Sequence, residues 1–94
     1  MSAEIDLDSV LVVPPQVMSR LVGDETILMD LSSGIYFGLD GVGKRIWETI
    51  SDGQNLVEVA AVISSEYEVD EDRAQADVIE FVSELVERGL LKPN

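Results

Sequence analysis

The sequence predicts an α+β domain of the winged helix-turn-helix type, a three-stranded antiparallel sheet followed by three helices. Three observations predict it. Apolar residues recur at every second position up to Leu39 and at every third or fourth position after Asp40. Turn residues, Gly23-Asp24 and Ser32-Ser33-Gly34, separate the early apolar runs at hairpin spacing. Asp40, Asp52-Gly53, Asn55 and Gly89 divide the second half into three helical segments. With 94 residues, 46% of them hydrophobic, the chain is one domain with a modest core.

Each element follows from its own residues. Residues 1–9 are polar and acidic and are expected to form a flexible N-terminus, with the domain running from 10 to 92. Val10–Val13 is an apolar, largely β-branched run that Pro14-Pro15 stops. Val17–Val22, Thr26–Leu31 and Ile35–Leu39 read as the strands of a meander. In the last strand Ile35, Phe37 and Leu39 share the face expected to meet the core, and Tyr36 and Gly38 share the other. Asp40 is expected to cap the first helix through its carboxylate. Val42, Ile46 and Ile50 form that helix's stripe, with Trp47 beside it as a core residue. Gly41 and Gly43 are expected to let its first turn pack against the sheet. Gly53 suits the left-handed position after it. Asn55 and Glu58 have capping-box spacing before a second stripe of Leu56, Val59, Ala60, Ile63 and Tyr67. Asp70, Glu71 and Asp72 complement the dipole at the start of a third helix, whose stripe is Ala74, Val78, Phe81, Val82 and Leu85. Gly89 stops it, and Leu90-Leu91 is expected to fold back onto the core.

Composition narrows the function. The chain has no cysteine and no histidine, which excludes disulfides, Cys/His metal sites and every nucleophile–histidine arrangement. "GVGK" at Gly41–Lys44 lacks the spacing and the hydroxyl residue of a phosphate loop. "EYEVDEDRAQAD" alternates carboxylates but lacks the glycine and the terminal glutamate of a calcium loop. No catalytic residue, metal site or cofactor is expected. The first residues lack the basic region of a secretory signal and no apolar run is long enough to span a membrane, so a soluble, cytoplasmic protein is expected. A net charge of −13 disfavours nucleic acid and anionic lipid as partners.

The charge is uneven. Nine carboxylates lie between Glu66 and Glu87 against one base, Arg73. On the third helix Asp77, Glu80, Glu84 and Glu87 fall within an arc of roughly 80° at 100° per residue. Across the apolar stripe lie Gln75, Ile79 and Val86, which are either buried or line a groove. A helix so acidic is a poor reader of a DNA major groove. An exposed edge strand offers unpaired N–H and C=O groups to an extended peptide, and Ile35–Leu39, bracketed by Gly34 and Gly38, offers such a ladder. Asp77, Glu80 and Glu84 are expected to steer a basic segment from a distance. Two readings stand: a non-catalytic peptide-binding adaptor, and an acidic winged-helix regulator that binds a basic protein in place of nucleic acid.

"GIYFGLDGVGKRIWETISDG" and the closing "DVIEFVSELVERGLL" resemble the PqqD-like proteins, the leader-peptide recognition elements of ribosomally made, modified peptides. The likeness covers about residues 10–92. It rests most on Leu39–Trp47, Asp52-Gly53 and Leu85–Leu91, with Asp40 replacing the more usual asparagine. The resemblance implies a three-stranded sheet with three helices and a leader peptide added against the third strand, here Ile35, Tyr36, Phe37, Gly38 and Leu39. It implies a groove wall on the third helix, assigned to Gln75, Val78, Ile79 and Val82. "GIYFGLDGVGKRIW" is most similar to standalone members from lasso-peptide clusters, which implies a precursor leader and a partner enzyme such as a leader peptidase, followed by a cyclase. Members serving pyrroloquinoline quinone synthesis imply instead a peptide chaperone for a radical enzyme.

Overall fold

Period-two runs separated by tight turns give strands, and the period of 3.6 that follows Asp40 gives helices. The computed structural model describes residues 5–94 and runs β1 (Leu11–Val12), β2 (Val17–Val22), β3 (Glu25–Asp30), β4 (Ile35–Leu39), α1 (Gly41–Ser51), α2 (Leu56–Tyr67), α3 (Glu71–Glu87) and β5 (Lys92–Pro93). Strands β2, β3 and β4 form an antiparallel sheet in that order. Met18, Met29 and Tyr36 align across it, as do Ser19, Leu28 and Phe37. The β3–β4 turn closes when Gly34 N–H donates to the Asp30 carbonyl at 2.7 Å, while Ser32 N–H donates to Asp30 Oδ1 at 2.8 Å.

The Val10–Val13 run does not join this meander. Pro14-Pro15 redirects the chain, and β1 instead pairs antiparallel with β5, aligning Leu11 with Pro93 and Val12 with Lys92. Asn94 N–H adds a bond to the Val10 carbonyl at 3.0 Å. The two ends of the domain are thus tied together, and Leu90 and Leu91 fold back into the core.

Residues 1–4 of the expected flexible N-terminus lie outside the described residues. Residues 5–9 correct that expectation. Ile5 and Leu7 pack on the core. The Leu7 and Ser9 carbonyls accept from Val57 N–H at 2.9 Å and Leu56 N–H at 3.1 Å. These are first-turn amides of α2 that no residue of the helix itself can satisfy. Asn55 and Glu58 complete the start of α2 as a reciprocal capping box, with both bonds at 2.9 Å.

The helices cover one face of the sheet. Leu28 and Leu39 meet Ile46, Trp47 and Ile50 of α1, Leu56, Val59, Ala60 and Ile63 of α2, and Ala74, Val78, Val82 and Leu85 of α3 in a single buried cluster. Burying each large aliphatic side chain stabilises the fold by about 1.5–3 kcal/mol before entropy is counted. Ile35 shares the inward face of β4 but lies beyond the end of the core and is 59% exposed. Tyr67 ends α2 at the surface. Arg45 joins α1 to α2 through a bidentate pair with Glu66, Nε to Oε1 at 2.8 Å and the second nitrogen to Oε2 at 2.9 Å. This bond holds the Glu66 carboxyl below its usual range and raises the Arg45 guanidinium above its own.

Candidate peptide-binding cleft

One edge of β4 is bonded to β3, and among the described residues no strand pairs with its other edge. Alternate residues of β4 therefore direct backbone donors and acceptors outward. Beyond that edge lies a cleft of about 510 Å³ between β4, the start of α1 and α3. Phe37, Gly38, Leu39 and Asp40 form one wall, Val42, Gly43 and Ile46 the floor, and Asp77, Glu80, Phe81 and Glu84 the far wall.

Local sequence builds each part. Alternation along β4 turns Phe37 and Leu39 inward, so they face α3 and the core rather than the open face of the sheet. Gly43 makes room for Phe81: a Cβ at Gly43 would lie 3.1 Å from the Phe81 ring. The tightest approach is thus to α3, with Leu39 of the sheet at 3.9 Å, and Gly41 has open space around it. Arg88 touches two lining residues, its guanidinium 5.0 Å from the Phe37 ring centroid and its Nε 3.3 Å from Glu84 Oε1. On the open face, Gly38 leaves space for Glu25, whose Oε2 would lie 3.2 Å from an added Cβ.

The structure corrects several expectations. Val78 and Val82 are fully buried at the centre of the α3 stripe and offer no surface to a ligand. Gln75 and Ile79 are half-buried on the opposite margin of α3 and are absent from the cleft lining. The wall is the other margin of the stripe, where Phe81 adjoins Asp77, Glu80 and Glu84. The three carboxylates expected to steer from a distance thus stand in the cleft lining itself. Phe81 was the available signal: it sits at the acidic edge of the stripe, too large and too peripheral for the helix seam. Val42, assigned to the α1 core stripe, is instead partly exposed in the cleft. Asp40 holds the N-cap position but its carboxylate makes no capping bond, because α1 begins through Gly41 at φ +53 and the side chain lies on the cleft rim. Gly34, at φ +75, serves the β3–β4 turn.

Fold and cleft together define the class, a winged-helix-like α+β domain that presents a free strand edge across an acidic cleft from its last helix. The chain belongs to the PqqD family, since residues 25–91 match the family described as Coenzyme PQQ synthesis protein D. Two solved structures are similar to it. TbiB1 in complex with the TbiA(beta) leader peptide is 36% identical with a TM-score of 0.81, over 85% of this chain and 93% of that one. A lasso peptide synthetase B1 complexed with the leader peptide is 28% identical with a TM-score of 0.84, over 89% of this chain and 99% of that one. A search of curated proteins gave no match.

Proposed function

We propose that this protein is a non-catalytic adaptor for lasso-peptide biosynthesis. It binds the leader region of a ribosomally made precursor as an added strand on β4 and presents it to a modifying enzyme such as a leader peptidase. The observation that carries the reading is the unpaired edge of β4 facing a cleft, in a chain 36% identical to a protein solved with a leader peptide. Main-chain bonds along Ile35–Leu39 would hold the peptide, and Phe37 and Phe81 would take its apolar side chains. Isothermal titration with the separate leader and core halves of lasso-peptide precursors, the TbiA(beta) leader among them, tests this. Binding confined to the leader half supports the adaptor, and binding to neither half contradicts it. The family description favours one second reading, a peptide chaperone for pyrroloquinoline quinone synthesis. Binding of that precursor in place of a lasso leader would select it.

A further inference from the structure

The cleft of about 510 Å³ has carboxylates on two walls. Asp77 pairs with Arg73 at 3.3 Å and Glu84 with Arg88 at 3.3 Å. Among the described residues Asp40, at the end of β4, and Glu80, in the middle of α3, form no ion pair. They come from different elements, on opposite walls above a floor of Val42, Gly43 and Ile46. A peptide strand laid on this floor displaces water from both carboxylates, which is unfavourable unless the peptide brings a cation. Backbone pairing with β4 is blind to sequence, so discrimination has to come from side chains. Only alternate side chains of an added strand face the cleft, and slipping by one residue sends them to the other side. Arg88, over the Phe37 ring, disfavours a second cation beside that residue.

Resting on the reading of this cleft as a peptide site, we propose that it selects a strand carrying a lysine or arginine that seats between Asp40 and Glu80, and that this contact sets the register of the bound peptide. A display library of short random peptides, selected against the folded protein, tests it. Three variants accompany the wild type: Glu80→Lys, Phe81→Asp, and Glu87→Lys, which makes the same charge change outside the cleft lining. Thermal melting confirms that each is folded. Expected are sequences with apolar residues at alternate positions and a lysine or arginine at one fixed offset. Glu80→Lys should lose that enrichment several-fold and gain acidic residues at the same offset, and Glu87→Lys should keep it. Basic residues scattered without a fixed offset, or a preference that Glu80→Lys leaves unchanged, would overturn the proposal while leaving the cleft as the site. Recovery of the same peptides by Phe81→Asp would instead overturn the cleft reading itself.

Discussion

Asn55 and Asp40 hold equivalent positions at the starts of α2 and α1, yet only the Asn55 side chain bonds the helix it precedes. Asn55 Oδ1 accepts from Glu58 N–H at 2.9 Å, and the Glu58 carboxylate accepts in turn from Asn55 N–H. Asn55→Ala removes one side of this box and should cost about 1 kcal/mol, the usual cost of losing an N-cap. Asp40→Asn breaks no capping bond and should leave stability within about 0.5 kcal/mol, as surface substitutions do. Chemical denaturation of both variants checks the pair. An equal loss from each would mean that Asp40 also caps its helix in solution.

At the scale of the element, α3 has two working margins around one buried stripe. Val82 is fully buried and Phe81, its neighbour in sequence, lines the cleft. Val82→Ala should therefore destabilise by about 2 kcal/mol through a cavity and leave peptide affinity nearly unchanged. Phe81→Ala should weaken binding about tenfold or more, roughly 1.4 kcal/mol, with a smaller loss of stability. Denaturation and titration of both variants separate the roles, and the reverse pattern would place the peptide on the wrong margin. The link between α1 and α2 carries a pH signature. Glu66 is held below its usual 4.5 by Arg45. Its contribution to stability is present above that value and is lost as pH falls through the lowered folded value. The melting-temperature gap between wild type and Arg45→Gln should thus be constant from neutral pH down to the usual carboxylate range and close below it. A gap that persists in strong acid would show that Arg45 acts by packing alone.

At the scale of the whole molecule, the order of elements was legible because each boundary has a local chemical cause. Gly23-Asp24 and Gly34 turn the strands, Asn55 and Glu58 cap α2, and Gly53 and Gly89 end α1 and α3. The buried stripes were legible from periodicity wherever they lie over the centre of the core, as with Ile46, Val59 and Val78. What escaped depends on contacts between distant segments. Nothing local in Val10–Val13 names its partner Lys92–Pro93, and nothing in Leu7 or Ser9 shows that their carbonyls cap α2. That β4 ends the sheet was legible from the order of the strands. Which margin of α3 lines the cleft beside it was not, because periodicity gives two margins and only the tertiary fold chooses the one facing β4.

The net charge of −13 acts over the whole surface. Its attraction for any basic peptide is screened beyond about 8 Å at physiological salt. Raising the salt from about 0.05 to 0.5 M, a change that spans that screening, should slow association several-fold. Because Asp40 and Glu80 line the cleft, dissociation should also quicken. Stopped-flow with a labelled leader reads both rates. Dissociation indifferent to salt would reduce the carboxylates to steering alone.

The most direct measurement of strand addition is backbone amide hydrogen exchange, residue by residue, with and without saturating leader peptide. Binding at the free edge of β4 should slow exchange at alternate amides of Ile35–Leu39 that point away from β3, and leave the amides of β2 unchanged. Protection of β2 with β4 unaltered, or binding with no new protection in either edge strand, would contradict it.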